Sequence, residues 1–326
     1  MTAAQTTAKG ALAGVTGRRS LGQRAHELRR RFRRSLPYYT MMLPPLLLLL
    51  VFNYIPLYGL KMAFQRFIPA RGLFGDQKWV GLYWFQYLRV YPDFFRALAN
   101  TLILSLSKIG LGILVAVTVA ILISEVRNAT LQRAIQTTVY LPHFLSWIVL
   151  AGVFIRILSP SNGLVNQLIK SLGGNPIFFL GDNRYFRATL IVTDLWKSFG
   201  FNTIVYLAAI VSIDPSLYEA ATVDGANKFQ RIWHITVPSI LPIVSLMSVL
   251  SIGSILNANF DQVFNLYSPA VYETGDVLNT LVYRIGLVQA NYSLSTAIGL
   301  FRALVSGVLV GIAYFLAHKY ANYEIF

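Results

Sequence analysis

The sequence predicts an all-α integral membrane protein built from six transmembrane helices. Three observations carry this. Hydrophobic residues make up 55% of the 326 and charged residues only 13%, where an average soluble protein has roughly 25% charged, and mean hydropathy is +0.55. Apolar stretches near the ~20 residues needed to cross a bilayer recur along the chain. A run of arginines stands just ahead of the first of them. The net charge of +15 would suggest a nucleic-acid partner in a soluble chain; here it reports membrane sidedness, and no nucleic acid is expected. With no cysteine, disulfides, thiolate metal sites and cysteine nucleophiles are excluded. His26, His143, His234 and His318 are scattered singly, so no metal site is expected.

Taken in order, residues 1–17 are rich in Ala, Thr and Gly and are expected to be disordered. Arg18, Arg19, Arg24, Arg29, Arg30, Arg31, Arg33 and Arg34 then face a single acid, Glu27. By the positive-inside rule, residues 1–37 form a basic cytoplasmic segment and residues 38–326 a six-helix transmembrane domain. The anchor is read as uncleaved, because Asn53-Tyr54-Ile55-Pro56 follows the first apolar run with no small-residue cleavage site. Spans are expected at 38–60, 97–124, 134–158, 188–213, 237–256 and 295–318. Both termini then lie in the cytoplasm with loops 125–133 and 214–236, while 61–96, 159–187 and 257–294 face outward. One loop runs against the rule. Lys61, Arg66, Arg71, Lys78, Arg89 and Arg96 against Asp76 and Asp93 leave the first outer loop at 6 − 2 = +4.

Between the spans, Pro160-Ser161-Asn162-Gly163 and Gly173-Gly174-Asn175-Pro176 are turn signals around a short amphipathic stretch, Leu164 to Leu172. Within them, Ala303, Gly307 and Gly311 recur every four residues, and Gly110 and Gly112 lie in the second span. Small residues at such positions let helices approach closely, so packing inside the bundle is expected. No internal repeat is evident.

The most informative segment is 214–242. Asp214 can cap a helix with Pro215 at its first position, where the missing N–H costs nothing. Helix formers follow through Glu219, Ala220 and Ala221, and Gly225 after Asp224 offers the left-handed conformation that ends a helix. A second amphipathic stretch is expected from Asn227 to Thr236, stopping at Pro238. The product is a helix, a glycine elbow and a second helix displayed between spans four and five. Its flat Ala220-Ala221 face with one acid beside it suits insertion into a partner's groove.

Glu219-Ala220-Ala221, Gly225 six residues after the glutamate, Ile235, Pro238 and Pro242 resemble the EAA loop of the membrane subunits of binding-protein-dependent ABC importers. The likeness extends through Tyr38 to Gly59, Tyr140 to Trp147, Asp194 to Lys197 and Ser251 to Asn257 toward the oligosaccharide-importing branch, and within it toward permeases for acidic polysaccharides such as alginate. Nothing is carried over for the first 34 residues. The resemblance implies a type I importer permease fold in a bacterial inner membrane, multi-pass with both termini cytoplasmic. It implies as partners a second homologous permease, two ATPase subunits, an outside solute-binding protein, a carbohydrate substrate and membrane lipid. The loop 214–238 would be the coupling element: Glu219 makes the polar contact, Ala220 and Ala221 permit close approach, and Asp224-Gly225 set the elbow. No phosphate loop of the G-x-x-x-x-G-K-[ST] kind occurs. The chain is therefore expected to bind no cofactor and to be no enzyme, ATP and Mg²⁺ being used by its partners.

Ionisable groups inside spans are costly and mark function; Lys108, Asp194, Lys197 and Arg302 qualify. Asp194 and Lys197 stand three apart and are read either as a neutralising pair or as a substrate contact, while Lys108 and Arg302 have no local acid. Trp196, Asn202 and Tyr206 on the fourth span, and Asn257, Asn259, Asp261 and Gln262 where the fifth opens outward, complete the candidate sugar pathway. Their other reading is hydrogen bonding between helices. Two rival functions are weaker. A serine protease would need a base near Ser254, and His143 and His318 fall at expected membrane edges. A stand-alone secondary transporter should show repeats and has no use for the loop.

Overall fold

The computed structural model describes residues 21–321, with side chains described for 35–316; the expected disorder of residues 1–17, the side chains of Arg18 to Arg34 and the terminal His318 lie outside these. The chain divides into two compact units after Gly59. α1 (Leu21–Leu49) of the first unit runs on as a π-turn, Leu50–Tyr54, and a 3-10 segment, Ile55–Phe64, whose residues from Leu60 onward fall in the second. One helix thus crosses the expected boundary at 37/38. Its apolar residues from Leu36 to Tyr58 are exposed, as befits surface made for a membrane.

The second unit opens with two short paired strands, β1 (Gln65–Arg66) and β2 (Lys78–Trp79), antiparallel with Gln65 opposite Trp79. Helices follow: α2 (Tyr83–Leu88), α3 (Pro92–Ser124), α4 (Ala129–Tyr140), α5 (Trp147–Ile157), α6 (Leu164–Ser171) and α7 (Asn183–Val211). After them come α8 (Pro215–Val223), α9 (Lys228–Arg231), α10 (Val237–Ile252), α11 (Phe260–Leu266), α12 (Tyr272–Gly275), α13 (Leu278–Tyr283) and α14 (Tyr292–Ala321). Among the described residues, four helical stretches are long and apolar enough to cross a membrane alone: Ser35–Phe64, Pro92–Ser124, Lys228–Ile252 and Tyr292–Leu316. Two bent pairs pass the same test together, and counting each as one span gives six. Ala129–Phe144 with Trp147–Ile157 turns by 100°, and Asn183–Val211 turns by 66° into the loop helix Pro215–Val223.

Three expectations need correction. The third span is not one straight helix over 134–158. A 3-10 turn at Leu141–Phe144, carrying Pro142, gives way to extended backbone at Leu145, and Ser146 caps a new helix by accepting the Val149 N–H at 3.3 Å. Pro238 does not stop the helix entering the fifth span. A π-turn, Ile232–Thr236, precedes it, and that wider register absorbs the missing N–H and the ring's clash with the preceding turn. Finally, Ala303, Gly307 and Gly311 are exposed, with open space beside both glycines, so this stripe is not packed inside the chain; of Gly110 and Gly112 only the latter is buried.

The core is organised on α3 and α7, the most extensively packed helix pair. One apolar cluster joins Leu104, Trp147, Phe186, Leu190, Val263 and Leu266; a second joins Phe94, Leu256, Leu281, Ile285 and Ile298; a third joins Ala116, Ala120, Tyr206, Ile210 and Ile240. Where α7 crosses the end of α4, a Cβ on Gly200 would lie 1.9 Å from the Val139 carbonyl oxygen, so only glycine fits. Polar bonds fasten the 260–290 segment to the far ends of α3 and α7. Asn100 Nδ2 donates to the Asp276 carbonyl at 3.0 Å, Arg187 donates to Asn100 Oδ1 at 2.7 Å, and Arg284 pairs with Asp276 at 2.6 Å.

Candidate functional site

Two places gather the residues singled out above: the loop between α7 and α10, and a cavity within the helices.

The loop is built by local rules. Asp214 Oδ1 accepts the Ser216 N–H at 2.9 Å, with Pro215 at the first helical position. The same Ser216 N–H holds the Asp214 carboxyl below its ordinary range. At the other end of α8 Gly225 takes φ +81. The Ala226 N–H then reaches the Ala221 carbonyl at 2.9 Å and the Gly225 N–H the Thr222 carbonyl at 3.1 Å, the paired closure that a left-handed residue after a helix makes possible. Asn227 and Gln230 form a reciprocal capping box with bonds of 2.8 and 2.9 Å. Tyr218 Oη to Thr236 Oγ1 at 2.9 Å and Arg231 to Thr222 Oγ1 at 2.8 Å clamp the two arms together. A shaped element results, with no buried residue in α8. Glu219, Ala220, Asp224 and Gly225 are exposed and Ala221 half-buried. Val223 is 88% exposed, and Phe229 and Trp233, stacked on each other, are 72% and 61% exposed. So much apolar surface on an ordered, capped element marks a contact face.

The cavity, about 380 Å³, lies between the middles of α3 and α7 and the C-terminal end of α10. Of the sugar-pathway candidates, Lys108, Asn202, Tyr206, Asn257 and Asn259 line it. The other four do not. Trp196 packs edge-on to Phe154, Asp261 is exposed, Gln262 is fully buried, and Arg302 donates to Asn279 Oδ1.

The charges are paired differently from the sequence reading. Asp194 does not form its ion pair with Lys197 three residues on. Its partners are Lys108 from α3 at 3.8 Å and Asn259 Nδ2 at 3.0 Å. Lys197 donates instead to the His143 carbonyl at 2.6 Å and faces the Trp147 ring. Lys108 also donates to Gln262 Oε1, and Gln262 Nε2 reaches the Leu190 carbonyl at 2.6 Å and Thr193 Oγ1 at 2.9 Å. Lys108 and Asp194 are only 8% and 16% exposed. A buried ion pair persists when its remaining donors and acceptors are satisfied, and here Gln262 and Asn259 satisfy them.

Sequence reasoning missed several wall residues. His143 lies in the cavity wall and stacks on Phe201 with centroids 4.0 Å apart and planes 6° from parallel. Ser105 lines the wall one turn from Lys108, a position its i, i+3 spacing on one helix face offered. Ser105 Oγ and His143 Nδ1 are buried without a hydrogen-bond partner among the described residues. Polar atoms in a cavity wall with spare bonding capacity, beside an aromatic slab, suit a ligand rich in hydroxyls. Ser254 Oγ, the rival nucleophile, donates to the Ser251 carbonyl. Among the described residues no cluster of His, Asp and Glu could hold a metal ion.

A membrane-spanning helical unit with a cavity whose largely apolar wall carries several polar side chains, and with a capped loop displayed between two spans, suits a transport component. Residues 108–320 match the family of binding-protein-dependent transport system inner membrane components, and the chain belongs to that family. It is an ABC transporter permease subunit, a multi-pass inner-membrane protein and a transport component, not an enzyme. Among its relatives, the polygalacturonan/rhamnogalacturonan transport system permease protein YteP of Bacillus subtilis (strain 168) is 39% identical, covering 88% of this chain and 89% of that protein. A chain in the crystal structure of a bacterial ABC transporter involved in import of the acidic polysaccharide alginate superposes with a TM-score of 0.82 at 39% identity, over 90% of this chain and 99% of that one. A chain of the bacterial alginate ABC transporter in complex with an alginate pentasaccharide-bound periplasmic protein gives 0.82 at 38% identity, over 91% and 99%. The type I importer fold is therefore this chain's fold.

Proposed function

We propose that this subunit imports an oligosaccharide, an acidic one such as an alginate fragment, and that the loop 214–238 couples it to ATP hydrolysis by separate subunits. One observation carries the coupling. Glu219 and Ala220 stand exposed on a helix whose two ends are fixed by caps and whose apolar neighbours face outward. Such an element transmits a push because it is ordered before it docks. In this reading the loop lies in the cytoplasm with both termini, two ATPase subunits bind from that side, a second homologous permease completes the pathway, and a solute-binding protein delivers sugar outside. Reporter fusions after residues 75, 170 and 275 should read outside, and after 128 and 228 inside.

The acidic substrate rests on the likeness to an alginate importer chain and on the net basic outer loop, which would concentrate polyuronates at the entrance. Lys108 and Arg302 support it less than their sequence positions suggest, since one is paired with Asp194 and the other bound to Asn279. Reconstituted with its partners, the complex should hydrolyse ATP faster with loaded binding protein and uronate oligomers than with uncharged sugars of equal length. Equal stimulation by a neutral oligosaccharide would leave the importer reading intact and defeat the acidic one.

A further inference from the structure

The ribbon formed by β1 and β2 sets two like charges side by side. Gln65 stands opposite Trp79 and Arg66 opposite Lys78, and successive side chains of a strand point to opposite faces, so one face carries the indole and the other the two cations. We infer that Arg66 and Lys78 form a binding site for the phosphate of an anionic phospholipid headgroup, the ribbon resting on the membrane surface with Trp79 toward the acyl chains. The inference needs only the membrane spans; naming the leaflet as the outer one rests on the proposed topology.

Like charges directly opposite each other destabilise a strand pair. Here they sit on a ribbon that is otherwise firmly fastened. Gln77, only 7% exposed, accepts the Ile68 N–H at 2.9 Å and donates to the Ile68 and Gly72 carbonyls at 3.1 and 3.0 Å. Trp84 Nε1 and Ser293 Oγ both donate to the Gln65 carbonyl, at 2.9 and 2.7 Å, and Ser293 Oγ accepts the Phe67 N–H at 2.9 Å. The Arg66 and Lys78 side chains are exposed and make no hydrogen bond or ion pair among the described residues. An anion between them removes their repulsion and meets two charged donors at once.

Depth is what makes that anion a lipid. β1 starts one residue after Phe64, where the stretch Ser35–Phe64 ends; α2 leads directly into Pro92–Ser124; and Ser293, which bolts the ribbon, is the second residue of Tyr292–Leu316. The ribbon is thus held where three spans end, the level at which Trp and Tyr gather and basic groups meet anionic headgroups. Its apolar side agrees: Trp79, stacked on Phe64, and the neighbouring Leu82 and Tyr83 are all exposed. A sugar or an acidic protein held by the cations would leave Trp79, on the opposite face, in water; a bilayer surface takes both faces. With this pair committed to lipid, the first outer loop still keeps 4 − 2 = +2 for attracting an acidic substrate.

The chain has no cysteine, so Leu82→Cys can carry a single fluorophore beside the ribbon in the full complex, any reactive cysteines of the partner subunits being replaced. Its quenching is measured in phosphatidylcholine vesicles doped with phosphatidylglycerol or phosphatidylcholine bearing the same acyl-chain nitroxide at equal density. Phosphatidylglycerol should quench more strongly. Its advantage should fall about fivefold in Arg66→Gln or Lys78→Gln, the factor equivalent to about 1 kcal/mol per basic group beside an anionic lipid surface, and vanish when both are changed. Arg66→Lys keeps the charge and should keep the advantage. These side chains bond to nothing in the fold, so the variants should assemble normally. An advantage that survives in the double variant overturns the site, as does equal quenching by the two lipids in the parent. No quenching by either would mean that the ribbon stands clear of the membrane, and loss of the advantage on adding uronate oligomers would give the cations to the substrate; both defeat the inference. ATP hydrolysis stimulated by loaded binding protein in the same vesicles reports separately whether the importer reading holds.

Discussion

The loop and the cavity use polar residues in opposite ways. In α8 none of the residues is buried, and the bonds of Asp214, Gly225 and Asn227 run to backbone within a few residues. In the cavity, Lys108 and Gln262 bond across 154 residues, Asn259 and Asp194 across 65, and the charges are almost wholly enclosed. Exposed groups cost little to change and act through what docks on them. Enclosed groups hold the fold and line the path at once, so changing one alters both. Stability and coupling should therefore separate at the loop and remain entangled at the cavity.

The largest effect should come from Asp194→Leu, which leaves Lys108 as a buried cation without its counter-charge. Losing one partner of a buried pair costs about 3–5 kcal/mol, read as a lowered thermal midpoint of the purified complex. Lys108→Met in addition should recover most of that loss, since an apolar pair replaces an ionic one at little net cost. A single variant as stable as the parent would remove the distinction between the two regions. Next comes Gly225→Val. Holding a β-branched residue at φ +81 costs on the order of 1–2 kcal/mol, confined to the elbow, so recovery of the ATPase subunit on purification should fall while the midpoint shifts by only a few degrees.

The smallest effect is pH dependence at Asp214. Its carboxyl is held below the ordinary range by the Ser216 N–H, so the cap is intact above the unfolded carboxylate range and is lost as pH falls through the depressed value. Hydrogen exchange at the Ser216 amide, corrected for intrinsic rate, should lose protection over that fall. Asp214→Asn should keep the cap and lose the pH dependence.

The same contrast explains what the sequence made legible. Caps, elbow and capping box depend on residues within a few positions of one another, so Asp214, Pro215, Gly225 and Asn227 were readable and the helix-elbow-helix followed. The pairing of Lys108 with Asp194 depends on how α3 and α7 pack, and nothing near Lys108 announces it; the nearer choice, Lys197, was the wrong one. Pro238 read as a stop because a π-turn leaves no residue signature, whereas the bend in the third span did carry signals, Pro142 and the capping Ser146. His143 was missed because its ring reaches the cavity only once that bend is made.

The central claim is that the exposed loop transmits ATPase closure to the helices that enclose the cavity. Glu219→Lys tests it most directly, because it reverses one exposed charge on α8 and breaks no hydrogen bond or ion pair among the described residues. In a reconstituted complex with its ATPase subunits and sugar-loaded binding protein, the account predicts that stimulated ATP hydrolysis and uptake fall toward the unstimulated level. The thermal midpoint and the binding protein's affinity for sugar should stay unchanged. Normal stimulated hydrolysis together with normal uptake in Glu219→Lys would contradict it.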